Sequence, residues 1–350
     1  MINTAPRRFL HVANGTSTTM TIEAAGIPGA CSIWADPLHE GPVPGGLSDA
    51  ELLDVRRRFL TAPRDLTWEA WRGSDPSLDP VNDMRRWRAT IERHDTYDEL
   101  ILWFEHDLFD QLNLIQLLAW VRGCLPATKP VSLICINSFP GRPHFKGLGE
   151  LTPEELALLV ETRRPVTEPQ YALAARAWQA FRESTPEALD DLRKGDTSTL
   201  PYLSAALTRF LQEYPWTRGG LSRSERRLLE LASEGGIALW KAFPRMDDGE
   251  QAYYVTDLTL ASTAETLSRT SPPLLVLDLS DASDGHVLRG MVRITDTGRA
   301  VLADRLDRVA TCGIDRWFGG VHVQGGPSTS PGASGAVWRW DHERQSVVRA

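Results

Sequence analysis

Four short apolar runs, each stopped by a polar cluster, constrain this chain more than any other feature. Residues 9–13 (FLHVA) stop at Asn14-Gly15-Thr16-Ser17, and residues 30–35 stop at a loop opening with Asp36. Residues 99–104 (ELILWF) run into Glu105-His106-Asp107, and residues 130–136 (PVSLICI) end at Asn137-Ser138. None of these runs alternates polar with apolar residues, so each predicts a strand buried on both faces. Helical stretches fall between them, at 20–25, 50–60, 81–93 and 108–122. Strands alternating with helices predict a mostly parallel, Rossmann-like α/β sheet over residues 8–150.

The pattern then changes. Thr152-Pro153-Glu154-Glu155 is a helix start: a cap, a proline in the first turn, and acids at the positive helix end. Helices are expected over 168–184, 186–194 and 201–212, which makes 151–215 a helical extension. Over 220–310 three helices (222–233, 237–243, 255–269), a strand pair (274–279 and 287–294, turning across 280–285) and a helix at 297–306 give a winged-helix-like order. Residues 325–335 are rich in Gly, Ser and Pro, which predicts a flexible loop. A last strand is expected at 337–341. The tail from 311 to 350, with Trp317, Trp338 and Trp340, is expected to pack on the body.

In open α/β sheets ligands bind beyond the carboxyl ends of the strands. All four polar clusters fall at those ends, and that coincidence is what makes them candidates. Asn14, Gly15, Thr16 and Ser17 form a capped turn whose N–H groups and following helix end suit an anion. Residues 105–111 hold Glu105, His106, Asp107, Asp110 and Gln111 directly after a buried strand. One of these acids is expected to cap the next helix. His106 and Asp110, four apart, would share a helix face, so that His106 acts as acid or base oriented by Asp110 or Glu105. Asp36, His39 and Glu40 lie on a proline-stiffened loop that would present His39 and Glu40 to the same cleft. Asn137 and Ser138 would add ligand contacts. Arg142, His144 and Lys146, just beyond, read as solvated surface. His106, Asp110 and His39 also form a set that admits a divalent metal; the cofactor itself stays unspecified.

Three of these segments together resemble a known family. Residues 10–17 (LHVANGTS), 38–44 (LHEGPVP) and 103–111 (WFEHDLFDQ) are similar to the bacterial domain-of-unknown-function family numbered 1835. Residues 145–149 (FKGLG) and 314–322 (IDRWFGGVH) resemble the same family's longer members. The family pattern has Asp where Thr16 stands. The resemblance implies the fold of residues 8–145 and a place to look for a site, and no reaction.

Composition narrows the partners. The net charge of −8 offers no basic face for a phosphate backbone. Residues 218–308, where DNA would be read, carry 12 Lys/Arg against 14 Asp/Glu, and the helix at 255–269 has Arg269 as its one cation. DNA is therefore disfavoured as a partner. The four cysteines form no CxxC pair, and no apolar run reaches the length of a membrane span. The first ten residues have no signal-peptide pattern, so the expected location is cytoplasmic. The expected function is an enzyme, a hydrolase or group transferase, acting on a small anionic metabolite. The alternative is a ligand-responsive winged-helix regulator.

Overall fold

A computed structural model describes residues 7–62, 79–247, 249–279, 288, 290–327 and 336–350. By internal contacts the chain divides into two compact units. The first holds residues up to His39 together with Pro80–Phe181 and Leu192–Ala206; the second holds Glu40–Asp79, Arg182–Asp191 and Leu207–Ala350.

The first part of the chain runs β1 (Phe9–Ala13), α1 (Thr16–Ala24), β2 (Ala30–Ile33), β3 (Gly41–Pro42), α2 (Asp49–Thr61), α3 (Pro80–Glu92), β4 (Glu99–Glu105) and α4 (Leu108–Cys124). It continues with β5 (Val131–Ile136), α5 (Pro153–Leu159), β6 (Arg164–Pro165), α6 (Glu168–Phe181), α7 (Glu187–Lys194) and α8 (Leu203–Leu211). The sheet of the first unit has the order β2-β1-β4-β5-β6. Its first four strands are parallel, and β6 closes the edge antiparallel to β5. All seven residues of β4 are buried, as the unbroken apolar run requires of a strand covered on both faces. One face packs Ala13, Ile101 and Trp103 with Ile22 of α1 and Leu156 of α5. His11 sits in this core. Its Nδ1 accepts the Trp103 Nε1–H at 3.1 Å, so Nε2 carries the proton and donates to the Pro28 carbonyl, also at 3.1 Å. Burial lowers its basicity, which suits this neutral tautomer.

The second part runs α9 (Arg223–Ser233), β7 (Ile237–Ala238), α10 (Leu239–Ala242), α11 (Asp257–Arg269), β8 (Leu275–Asp278), β9 (Met291–Ile294) and α12 (Asp296–Leu302). It ends with α13 (Arg308–Cys312), β10 (Ile314–Gly319), β11 (Val321–Gly325), β12 (Trp338–Asp341) and β13 (Ser346–Arg349). β7, β9 and β8 form an antiparallel sheet, β10 pairs with β11 and β3, and β12 pairs with β13. Trp340 of β12 is fully buried, and its backbone pairs with Pro215 and Thr217.

Two local expectations need correction. The helix expected at 237–243 begins as strand: Gly235 and Gly236 both take positive φ, and Ile237 then pairs with Val292. The helix expected at 297–306 stops at Leu302, with Asp304 just beyond at φ 55°. The turn at 280–285 and residues 328–335 of the expected flexible loop lie outside the described residues.

Candidate functional site

The strand order places a topological switch point between β1 and β4, because the chain leaves β1 toward β2 on one side and returns to β4 on the other. Ala13 lies beside Trp103 in register, so the turn at Asn14 and the end of β4 at Glu105 open on one edge of the sheet. Three carboxylates meet there.

Asp107 sets the local geometry. Its extended backbone ends the strand, and its side chain caps α4 by accepting the Asp110 N–H at 2.7 Å. The first turn of α4 thereby carries Asp110 back over the strand end. One Asp110 oxygen accepts the Glu105 N–H at 2.8 Å, and the other accepts the Asn14 side-chain amide. Glu105 in turn accepts the Leu148 N–H at 2.6 Å. Gly147 is required here by proximity and not by φ, which is extended. A Cβ at this position would lie 2.2 Å from Glu105 Oε2 and 2.8 Å from its Cδ. Gln111 donates to the Glu105 carbonyl at 2.6 Å. Further along α4, Asn113 exchanges two hydrogen bonds with the Asp36 backbone, and Gln116 accepts the Trp34 indole N–H at 2.9 Å. Four buried polar residues of one helix thus tie down the loops at this edge.

Oxygens of Glu105, Asp107 and Asp110 lie within 4.8 Å of one another. Glu105 and Asp110 are buried, while Asp107 is partly exposed and opens the cluster to solvent. Among the described residues no Lys or Arg forms an ion pair with any of the three. Burial, then the neighbouring carboxylates, push the pKa values of Glu105 and Asp110 far above the ordinary carboxylate range. Burial also raises Asp107, against the N–H groups that its capping role gives it. Three adjacent acids, two of them buried, cannot all hold their charge unless something else neutralises them. A shared proton or a cation is what the arrangement asks for.

Of the expected site residues, Glu105, Asp107, Asp110, Gln111 and Asn14 come together. His106 does not join the carboxylates: it precedes α4, so the shared helix face with Asp110 does not exist. Its ring packs 6.5 Å from the Phe145 ring and 6.2 Å from the Tyr202 ring. His39 is buried with its ring edge-on to Phe109 at 6.0 Å. Glu40 belongs to the second unit, where its carboxylate meets the Thr259 hydroxyl at 3.4 Å. Asp36 contributes its backbone to Asn113. Asn137 and Ser138 are exposed, and Asn137 accepts from Tyr202 at 3.3 Å. The residue before α1 is Gly15, so the expected side-chain cap is missing; Thr16 and Ser17 are exposed, and the Ser17 hydroxyl reaches only the Gly149 carbonyl at 3.4 Å. Arg142 is held by Glu155 at 2.7 Å.

Sequence reasoning missed Gly147, Leu148, Asn113 and Gln116. Polar residues at 110, 111, 113 and 116 inside an otherwise apolar helix were the available signal. A cleft of about 540 Å³ in the first unit lies at the opposite edge of the sheet, lined by Glu99, Lys129 and Arg163. Compared with known families and curated proteins, the chain matches no family model and no curated protein. Among the described residues no helix is long and apolar enough to cross a membrane.

Proposed function

We propose that the first unit is an enzyme, a hydrolase or group transferase, that acts on a small anionic metabolite at the Glu105/Asp107/Asp110 cluster. The observation that carries this reading is the convergence of three carboxylates, none ion-paired with a Lys or Arg among the described residues, at the switch point of a parallel sheet. An all-oxygen donor set fits a hard divalent cation such as Mg²⁺ or Mn²⁺. When bound, that ion would neutralise the site and bridge to an anionic group. The backbone N–H donors of Leu148, Glu105 and Asp110 would hold the three ligand carboxylates in place. The first turn of α1, with no side-chain cap, offers N–H groups and a positive helix end to the substrate anion. Asn14 joins that turn to Asp110. Asp107, the partly exposed acid, is the group placed to exchange a proton with solvent or substrate. Membership of the family numbered 1835 belongs to this proposal and rests on the segments around residues 10–17, 38–44 and 103–111.

The regulator reading has less support. A winged-helix use of the second unit would direct the polar face of α11 into a DNA groove. That face carries Thr259, Ser262, Thr263 and Thr266, and it lines a cavity shared with Glu40 and Glu213.

The test is a hydrolysis screen of phosphate esters and small carboxylate esters, with and without Mg²⁺ or Mn²⁺, on wild-type protein and Asp110→Asn. Turnover by the wild type that the variant loses while it stays folded supports the proposal. Activity equal in both proteins would refute the placement of the site.

A further inference from the structure

The second unit contains a cavity of about 620 Å³, well inside the range of small-molecule sites. One wall is α11. Thr259, Ser262, Thr263 and Thr266 recur at the spacing of a single helix face and all line the cavity. Another wall is β3 and α2: Gly41 packs against the Phe59 ring at a distance where a Cβ would lie 2.3 Å away. Arg56 secures this turn by donating to the Glu40 carbonyl at 2.7 Å. Arg316 of β10 and Glu213 complete the cavity on a third side.

The floor is rigidly built. Arg209, fully buried, is bonded to Glu213 at 2.6 Å, to Glu250 at 2.5 Å and to the Ser224 hydroxyl at 2.9 Å. Ser224 donates to the same Glu213 oxygen at 2.6 Å. The other Glu213 oxygen faces Arg316, but only at 3.8 Å. That loose ion pair is the one polar contact of the Arg316 side chain among the described residues, and the guanidinium lies over the Phe318 ring at 4.8 Å. Its side chain is 35% exposed and lines the cavity. The hydroxyl of Thr266 likewise has no hydrogen bond among the described residues.

Charge decides the ligand class. Arg308 is matched by Glu225 at 3.3 Å, Glu213 by Arg209, and Arg316 stands against Glu40 and Glu213. A strong anion would meet Glu40, Glu213 and Glu225; a strong cation would meet Arg308 and Arg316. Asp315, the fourth carboxylate of the lining, is bonded to His322 at 2.6 Å. What remains is a dense array of hydroxyls, partnered carboxylate acceptors and guanidinium donors beside Phe59 and Trp317. We infer that this cavity is a second binding site, distinct from the carboxylate cluster, and that it takes a neutral polyhydroxylated ligand of sugar size. Thr263 and Thr266 meet the ligand hydroxyls, and Arg316 fixes its orientation.

The experiment is isothermal titration calorimetry of the full chain with glucose, ribose and N-acetylglucosamine, and with glucose 6-phosphate and putrescine as charged comparisons. At least one neutral sugar should bind, more tightly than either charged probe. The double variant Thr263→Val/Thr266→Val, isosteric at both positions, should weaken that sugar about 10-fold or more by removing two hydrogen bonds, while it stays folded without sugar even though Thr263→Val also removes the bond from its hydroxyl to the Thr259 carbonyl at 2.8 Å. If the double variant does not fold, Arg316→Lys is read in its place, and should lose about 10-fold with the loss of the planar fork. The inference is overturned if none of the three neutral sugars binds at roughly 50 mM. It is equally overturned if a charged probe binds more tightly, or if the folded variants bind the sugar as the wild type does.

Discussion

Asp110→Asn separates a working site from a structural cap, because the two roles predict opposite signs. Asp110 is fully buried beside two other acids, and its pKa is pushed far above the ordinary range. In metal-free protein the folded state therefore keeps a proton that the unfolded chain gives up. Stability then falls as pH rises from the unfolded-state value toward neutrality. At about 1.4 kcal/mol per pH unit, and an unfolded value near 3.9, holding that proton at pH 7 costs up to about 4 kcal/mol. Asn removes this cost. Its single oxygen still accepts the Glu105 N–H, and the Asn14 amide can turn its own oxygen to the new NH₂. One exchanged hydrogen bond costs about 1 kcal/mol. The variant should therefore be more stable than wild type by about 1–3 kcal/mol at pH 7 in EDTA, and less stable by about 1 kcal/mol near pH 4, where only the exchanged hydrogen bond is left. Urea unfolding at both pH values measures it. A loss of about 2 kcal/mol or more at pH 7 would refute the reasoning and make Asp110 an ordinary hydrogen-bond acceptor.

Gly147→Ala should cost about 2–4 kcal/mol in chemical denaturation, because the new Cβ displaces the Glu105 carboxylate and breaks its bond to the Leu148 N–H. Arg209→Met should cost about 3–5 kcal/mol by leaving the buried Glu213 with only the distant Arg316 and Glu250 with Arg223 alone, and a double-mutant cycle with Glu213→Gln should show strong coupling. Burial opposes the charge on Glu213, but Arg209 and Arg316 overcome that and hold its pKa down to about 2. Its contribution to stability is thus complete above about pH 5 and should be lost as pH falls toward 2, visible as an acid limb that Glu213→Gln lacks. Ser48→Ala removes a capping box from α2 and should cost about 1 kcal/mol, read as a shift in urea midpoint.

The parallel sheet was legible because residues 99–104 admit no alternation, and a strand buried on both faces has few other solutions. Its carboxyl edge was legible for the same reason: Asn14, Glu105, Asp107, Asp110 and Gln111 each directly follow a buried run, so chain order alone places them there. His106 was misplaced because spacing of four implies a shared face only inside a helix, and the cap falls at Asp107. Glu40 was misassigned because the chain passes between units right after His39, and no local pattern marks that point. Gly147 was invisible as a site residue: its role comes from a contact with Glu105 across 42 positions, not from its own backbone angles. The cavity lined by α11 was hidden behind the winged-helix-like order, which directs attention to the outward use of the same hydroxyl face.

Electron paramagnetic resonance of Mn²⁺ titrated into EDTA-treated, then dialysed protein tests the carboxylate cluster most directly. About one Mn²⁺ per chain should bind with a dissociation constant below ~1 mM, compete with Mg²⁺, and disappear in Asp110→Asn while that variant remains folded. Free Mn²⁺ signal undiminished by wild-type protein, or binding that Asp110→Asn leaves intact, would contradict the account.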